Sequence, residues 1–317
     1  MKTWPFIKDK TEAEVPVMLL YVLESNGSSP GRQGFCMAVA ADAEMCGSIG
    51  GGIMEHKFVE MAKARLADGM DMEPVHKQIH DKAAGKHQSG MICSGEQTIF
   101  LHRITAADLP AIRNLLASVS QHKNGSLILT ENGIDFKNEI PRKDFYFQQA
   151  SETAFTLIEK TGYKNKLHII GGGHCALALS KLMSQMDFYI KVYEERDDLN
   201  TLRDNRYAHE KILLESYSEL GDTIEGGNNV YVVIMTFGYR TDDIAVRALL
   251  KSSFRYLGLL GSRKKIEKLF AEYENSALDK AALARIHSPV GVQIKSKTPP
   301  EIAVSIAAEI IAEKNRF

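Results

Sequence analysis

Short apolar runs alternate with segments of helical periodicity through the second half of the chain. The apolar runs, each of β-strand length, cover residues 167–170, 189–193, 211–214, 230–235 and 255–260. The segments with helical periodicity cover residues 174–185, 242–251, 263–273 and 299–314. Strands that alternate with helices form a parallel sheet with crossover helices. This half of the chain is therefore predicted to be an α/β domain built on a parallel sheet.

Two of these predicted helices carry further local signals. Thr298 can cap the last helix, and Glu301 completes a capping box with it. The basic run at 263–268 is interleaved with apolar positions, which is typical of an amphipathic helix with a solvated basic face. We prefer that interpretation to a nucleic-acid-binding patch.

The first half of the chain mixes strand and helix patterns. The predicted elements are two strands and a helix that follows a glycine run, at residues 15–23, 97–104 and 53–67. Residues 121–165 form the longest segment without regular patterning. We place a domain boundary near its end, which gives a separate mixed α/β N-terminal domain (1–160) and the parallel-sheet C-terminal domain (161–317).

Composition narrows the class of protein. Of the 317 residues, 44% are hydrophobic and 25% charged, which excludes disordered and collagen-like classes. The net charge of -1 gives no overall electrostatic attraction to nucleic acid or an anionic membrane. We find neither a leader-like apolar run at the N-terminus nor an apolar stretch of about 20 residues. A cytoplasmic protein without nucleic-acid or membrane partners is expected.

The clearest motif is the glycine run in LHIIGGGHCA, between the first strand of the second half and its helix. Gly171 permits a tight turn, Gly173 allows a phosphate to approach, and a helix starting at His174 offers unpaired N–H groups. Glu194 ends the next strand, about 20 residues further along the chain. A carboxylate at this position can accept a hydrogen bond from a ribose 2′-OH. With Gly172, these residues predict a Rossmann-like nucleotide site. Tight strand–helix packing without a nucleotide is the open alternative.

Two more loops are predicted at the same carboxyl edge of the sheet, at 236–240 and 261–264. Gly261, Ser262 and Arg263 would offer backbone N–H groups, a hydroxyl and a guanidinium to a second anion. The alternative is that Ser262 only caps the helix and Arg263 is solvated.

Two glycine-rich turns, GSSPGRQG at 27–34 and GSIGGGIME at 47–55, mark the first half. Successive N–H groups in such turns form an anion-binding nest, and an arginine can grip phosphate or carboxylate. The candidate cofactor-binding residues are Gly27, Ser28, Ser29, Arg32, Gly50, Gly51, Gly52 and Glu55. Because the charge of Glu55 would oppose a phosphate, its alternative role is to stabilise the helix terminus.

The cysteines and histidines predict no metal site. Cys36, Cys46, Cys93 and Cys175 are far apart without a C-x-x-C pair, and the ten histidines show no H-E-x-x-H spacing. Cys93, in MICSGEQ, lies in a glycine turn where an exposed thiolate can react with sulfur or a soft metal. A buried, inert cysteine is the alternative.

Together these segments resemble the xanthine dehydrogenase accessory protein family, XdhC/CoxI. The matching segments are the two glycine turns followed by CSGE, IIGGGHCA, YLGLLGSRKK and TPPEIAVSIAAEII. The resemblance implies a chaperone that binds molybdenum cofactor (molybdopterin), protects it during sulfuration and delivers it to molybdenum hydroxylases such as xanthine dehydrogenase. It implies that the glycine turns and Cys93, the predicted catalytic residue, match the family's N-terminal domain, and that Gly171, Gly173 and Glu194 match its Rossmann domain. Which of the two domains holds the cofactor stays open at this point. A cysteine desulfurase is a further candidate partner.

The chain departs from the resembling family at two places. Many relatives have a cysteine after the glycine run where this chain has Ile53, which argues against a two-cysteine mechanism. Relatives also end one strand in a THDH-like sequence, but residues 236–240 read TFGYR here.

Two other functions stay open. One is an NAD(P)-dependent oxidoreductase, with NAD(P) or another nucleotide on the Rossmann-like domain. The other is an interaction module whose nucleotide site is vestigial. A homodimer is expected only because symmetric dimers are common.

Overall fold

The computed structural model describes residues 2–68, 73–79, 95–274 and 278–316. The chain divides into two compact units, residues 1–162 and 163–317. Among the described residues, no helix is both long and apolar enough to cross a membrane.

A five-stranded antiparallel sheet forms the centre of the N-terminal unit. Its strands are β1 (Val17–Gly27), β2 (Cys36–Ala40), β3 (Met45–Gly47), β4 (Val75–Ile79) and β5 (Gly95–Arg103), in the order β3-β2-β1-β5-β4. The helices of this unit are α1 (Thr3–Glu12), α2 (Gly52–Asp68) and α3 (Leu109–Ser120). The predicted strands correspond to β1 and β5, and the predicted helix corresponds to α2.

Strand β1 is buried on both faces, which explains its continuous apolar sequence. Met18, Leu20 and Val22 pack in the core that includes residues of α2. Leu19 and Tyr21 pack in a second core with residues of α1 and α3. Because successive strand residues point to opposite faces, one strand contributes to both cores.

A four-stranded antiparallel sheet occupies the segment in which the sequence showed no regular pattern. Its strands are β6 (Gly125–Thr130), β7 (Gly133–Lys137), β8 (Phe145–Gln149) and β9 (Phe155–Thr161), in the order β7-β6-β9-β8. The interpretation of 121–165 as irregular was therefore wrong. Thr130 pairs with Gly133 across a tight hairpin turn, and Asn-Gly is a strong hairpin signal.

The C-terminal unit contains a six-stranded parallel sheet. Its strands are β10 (Asn165–Ile170), β11 (Phe188–Glu194), β12 (Glu210–Leu213), β13 (Gly227–Ile234), β14 (Phe254–Leu259) and β15 (Ile286–His287). Their order is β12-β11-β10-β13-β14-β15, with every pair parallel. This is the order of the doubly wound dinucleotide-binding fold. The order in which strands are added to the sheet reverses between the neighbouring strands β10 and β13. The predicted Rossmann-like sheet is confirmed.

Helices cover both faces of this sheet. They are α4 (His174–Met183), α5 (Asn200–Arg203), α6 (Leu220–Thr223), α7 (Tyr239–Leu249), α8 (Arg263–Glu274), α9 (Lys280–Leu283) and α10 (Pro299–Lys314). The predicted capping box of α10 is present, because Thr298 and Glu301 each bond the other's backbone N–H. Ile306 and Ile310 of α10 are fully buried in a core shared with α4.

Candidate functional site

The two glycine turns of the N-terminal unit are in direct contact. A Cβ atom at Gly31 would lie 2.0 Å from the carbonyl oxygen of Ile49. Gly50 has a φ of +130°, and a Cβ there would lie 2.5 Å from the backbone nitrogen of Gly31. Only glycine fits at either position, since any side chain would separate the turns. We call this pair of turns, residues 27–34 and 47–55, the glycine-turn site.

Gln97 of β5 links the two turns. Its side-chain amide donates hydrogen bonds to the carbonyl oxygens of Gly31, at 2.9 Å, and Ile49, at 3.4 Å. Gln97 is buried, and a buried amide is stabilised by such hydrogen bonds. It was not among the predicted site residues, although a polar residue at the start of the predicted strand 97–104 was an available signal.

The second turn holds the chain's own carboxylate. Glu55 Oε2 accepts hydrogen bonds from Ser48 Oγ at 2.6 Å, Ile49 N at 2.8 Å and Gly51 N at 3.0 Å. Partial burial opposes its ionisation, but the hydrogen bonds outweigh this and lower the pKa of Glu55. Both turns were predicted to be anion-binding nests. In this turn, the N–H groups of Ile49 and Gly51 are already bound by the carboxylate of Glu55.

The first turn keeps exposed polar groups. The hydroxyl of buried Ser29 donates to Gly31 O at 2.9 Å, and Arg32 Nη1 donates to Gly27 O at 3.2 Å. Ser28 and Arg32 are both exposed. No residue in the described part of the chain accepts a hydrogen bond from the backbone N–H of Ser28 or Arg32. An anion at this turn would meet two N–H groups, a hydroxyl and a guanidinium.

Only the cysteines can supply thiols for covalent chemistry, and Ile53 has none. Ile53, in the first turn of α2, is 69% exposed, so the position where many resembling proteins have cysteine faces solvent here without a thiol. Cys93 lies outside the described residues. Burial raises the pKa of the Cys36 thiol to about 11 and also raises the pKa of Cys175. Cys36 and Cys175 are therefore poor nucleophiles at neutral pH.

We expect the described cysteines to differ in their rates of alkylation by iodoacetamide at pH 8. A pKa of about 11 leaves Cys36 roughly a hundredfold less thiolate than an ordinary cysteine, so it reacts most slowly. Cys46, which is partly exposed, serves as the internal comparison. Peptide mass spectrometry over a time course measures both rates, and equal rates would contradict the assignment of Cys36 as a structural thiol.

At the carboxyl edge of the C-terminal sheet, only the first glycine of the run requires glycine. Gly171 has a φ of +105°, and a Cβ there would lie 2.5 Å from the carbonyl oxygen of Met235. A Cβ at Gly173 would have no neighbour within 4 Å. Gly173 caps α4, and His174 is exposed at its first position. The loop is therefore tight at Gly171 and open at Gly173, which a bound phosphate requires.

Glu194 is fully buried beneath this loop. Its carboxylate accepts hydrogen bonds from Gly172 N at 2.7 Å, from Tyr217 OH at 3.2 Å and from the backbone of Glu195 and Arg196. Burial opposes ionisation, but the hydrogen bonds, led by the Arg196 side chain, lower the pKa of Glu194. A ribose hydroxyl at Glu194 would have to replace one of these donors.

Arg196 connects Glu194 with an exposed aromatic ring. Its Nε and Nη2 atoms donate to the two oxygens of Glu194, at 3.0 and 2.9 Å. Its guanidinium lies 4.6 Å from the ring centroid of Phe237, which is 66% exposed. Arginine can stack on an aromatic face while it holds a carboxylate. Phe237 therefore offers a supported ring face to solvent at the edge where such folds bind ligands.

An ion pair that was not predicted from the sequence lies at the same edge. The fully buried Asp242 of α7 pairs with Lys265 of α8 and accepts a hydrogen bond from Thr236 Oγ1 at 2.5 Å. Burial raises the pKa of the Asp242 carboxyl, although Lys265 and Thr236 partly offset the effect. The predicted solvated basic face is wrong for Lys265. Twenty-three residues separate the pair, so no local pattern indicated it.

Ser262 behaves as a helix cap. Its hydroxyl accepts a hydrogen bond from Lys265 N at 3.3 Å, at the start of α8, as the alternative interpretation expected. Gly261 precedes it, and Arg263 is exposed. Within the described ranges, no group of three or more histidine, cysteine, aspartate and glutamate residues is arranged to hold a metal ion.

Comparisons with protein families agree with this architecture. Residues 167–310 match the XdhC Rossmann domain, and residues 11–74 match the XdhC and CoxI family. The chain belongs to the XdhC and CoxI family.

Curated relatives and a solved structure are similar over nearly the whole chain. The uncharacterized protein YqeB of Escherichia coli (strain K12) is 25% identical over 96% of this chain, but the chain spans only 44% of that protein's length. A protein of Bacillus subtilis (strain 168), named as a probable xanthine dehydrogenase subunit, is 23% identical over 98% of this chain and 96% of its own. A crystal structure described as a xanthine dehydrogenase from Bacillus halodurans has a TM-score of 0.69 at 21% identity, with 98% and 95% of the two chains covered. At this identity, the similarity to the crystal structure establishes the fold alone.

Proposed function

We propose that this protein is an accessory factor of xanthine dehydrogenase-type molybdenum hydroxylases, which binds molybdopterin and delivers it to the client enzyme. The observation that carries the proposal is the first turn of the glycine-turn site, with its unfilled N–H groups and exposed Arg32. Membership of the XdhC and CoxI family supports the link to xanthine dehydrogenase. The name of the Bacillus subtilis relative, a probable xanthine dehydrogenase subunit, also supports this link.

The residues of the first turn fit the phosphate of molybdopterin. Ser28 would donate its backbone N–H and hydroxyl, and Arg32 would donate its N–H and guanidinium. The second turn is less suited to the phosphate, because Glu55 holds its N–H groups and adds a negative charge. The phosphate is therefore assigned to residues 27–34.

Cys93 is proposed to lie near the molybdenum during sulfur exchange. Thiolates are ligands and nucleophiles for sulfur-rich, soft metal centres. Cys93 precedes Gly95 by two residues, and Gly95 pairs with Gly27 at the start of the first turn. With Ile53 in place of a cysteine, the proposal uses a single thiol. A cysteine desulfurase as sulfur donor and a homodimeric state belong to this proposal.

Molybdenum and pterin analysis of protein purified anaerobically from a molybdenum-supplied host tests the proposal. We expect the wild-type protein to carry molybdopterin and the Arg32→Gln and Cys93→Ala variants to carry less. Loss of one charge-assisted phosphate contact should reduce occupancy about tenfold at limiting cofactor.

Lys181→Gln is the matched control, because Lys181 is an exposed lysine of the other unit. The purified proteins are also added to cofactor-free xanthine dehydrogenase, whose recovered activity is measured. Wild-type protein that carries neither molybdenum nor pterin, and restores no activity, would overturn the proposal.

A nicotinamide-dependent oxidoreductase is the second candidate. The strand order of the C-terminal sheet and the Asp242–Lys265 pair at its carboxyl edge favour it, because a paired acid and base could move a proton beside a bound dinucleotide. The occupied carboxylate of Glu194 weighs against it. Saturable NAD(P) binding with hydride transfer to a substrate would support this candidate, and absence of both would remove it.

A further inference from the structure

A cavity lies at the carboxyl ends of β14 and β15, away from Glu194 and the glycine run. Its volume is about 390 Å³, and its walls come from residues 260–262, 289–296 and the first turns of α10. Binding cavities for small molecules span about 300–1,000 Å³, so this one suits a compact ligand. Parallel α/β sheets bind their ligands at this edge.

The walls combine apolar surface with a few polar groups. Leu260, Val290 and Ile302 form an apolar lining, and Ser262 and Ser296 add hydroxyls. Among the residues that the structure describes, neither aspartate nor glutamate lines the cavity. An apolar cavity with a small number of polar groups is typical of a site for a small organic molecule.

The charges around the cavity are positive and unpaired. Lys295 lines the cavity, and Arg263, Lys264 and Lys297 directly follow its lining segments along the chain. None of these four forms an ion pair within the described ranges of the chain. The carboxylate of nearby Glu301 instead accepts the backbone N–H groups of Lys297 and Thr298. The cavity is therefore complementary to an anion.

The loop that forms one wall is held in a defined conformation. Ser305 Oγ donates to Val292 O at 2.6 Å, and Gly291 N donates to Glu309 at 2.7 Å. Lys295 has a φ of +57°, which is costly for a lysine and is commonly found where a side chain serves a site. A rigid loop thus presents Lys295 to the cavity.

We propose that this cavity binds a compact heterocycle carrying a phosphate, with the ring against the apolar lining and the phosphate beside Lys295. A mononucleotide and a pterin monophosphate share this chemistry. The proposal goes beyond the cofactor role of the glycine-turn site, because it gives the C-terminal unit a ligand of its own.

Calorimetric titration of the full chain with nicotinamide mononucleotide and, separately, with a pterin monophosphate tests this proposal. At least one probe should bind at the cavity with 1:1 stoichiometry, and pterin taken up at the glycine-turn site should appear as a second binding event that Arg32→Gln weakens. Lys295→Asn removes the charge with a residue that tolerates positive φ, and should weaken binding about tenfold. Ser296→Trp should fill the cavity and abolish binding. Both positions are in a surface loop, and thermal unfolding checks that both variants fold.

Lys181→Gln is the control, because it removes one positive charge from an exposed residue of the same unit that does not line the cavity. It should bind the probe as tightly as the wild-type protein. Binding of the pterin alone, the nucleotide alone or both identifies the source of the ligand and supports the site. No binding of either probe, or binding unaffected by Lys295→Asn and Ser296→Trp, would overturn it. If the purified protein carried no molybdopterin but the probes still bound at the cavity, the result would count only against the proposed cofactor role.

Discussion

Gly31→Ala is expected to destabilise the N-terminal unit by roughly 3 kcal/mol or more, since a backbone clash has no flexible side chain to relieve it. The added methyl group would lie 2.0 Å from the carbonyl oxygen of Ile49 and 2.4 Å from the Gln97 amide nitrogen. The two glycine turns would separate, and the buried amide of Gln97 would lose its acceptors. Trp4 is the only tryptophan and packs in the core of this unit. Its fluorescence during urea unfolding therefore reports this unit.

Ser28→Ala is the control for that experiment. Ser28 is exposed and three residues away in the same turn, so the variant should unfold within about 0.5 kcal/mol of the wild-type protein. If Gly31→Ala unfolded at the same urea concentration as Ser28→Ala, the close contact between the turns would be refuted.

Glu194→Ala is expected to destabilise the C-terminal unit by about 3 kcal/mol, because it leaves several buried donors without an acceptor. These include the N–H of Gly172 and the hydroxyl of Tyr217. The glycine run should become mobile as a result. Hydrogen exchange of the β10 and β11 amides measures the local loss. Glu225→Ala removes an exposed carboxylate of the same unit and should change exchange little.

The same carboxylate should make the C-terminal unit sensitive to acid. Because the pKa of folded Glu194 lies below its ordinary value of 4.5, its stabilising contribution is complete above that pH. The contribution is lost as the pH falls through the folded value. Glu194→Gln cannot titrate, so its exchange rates should depend less steeply on pH between 6 and about 3. Parallel pH profiles for the two proteins would contradict this role.

The C-terminal fold was predictable because its signals are local. Apolar runs of strand length alternate with amphipathic helices, and the Thr298–Glu301 capping box marks α10 within four residues. The hairpin at Asn132-Gly133 had an equally local signal, but asparagine and glycine also occur where a pattern is merely interrupted. Helix α1 was missed because few of its side chains are buried, chiefly Trp4 and Ile7.

The chemistry of the sites was less predictable than the fold. Gln97 forms hydrogen bonds to turns that lie 48 and 66 residues away along the chain. Lys265 of α8 forms an ion pair with Asp242 of α7. Such long-range contacts depend on tertiary packing, so they produce no periodic pattern in the sequence. Sequence spacing did indicate that Glu55 would oppose a phosphate, but it did not indicate that its carboxylate would occupy the nest.

The carboxylate of Glu55 supplies a hydrogen-bond acceptor to the second glycine turn from within the chain. Because Glu55 satisfies Ile49 and Gly51 from within the chain, the turn needs no external anion to keep its shape. In the proposed cofactor role, folding and loading are then separate events, and the empty protein should resist proteolysis of this turn as well as the loaded one. A carrier of that kind gains from this arrangement, because release exposes no unsatisfied backbone at the second turn and triggers no local collapse.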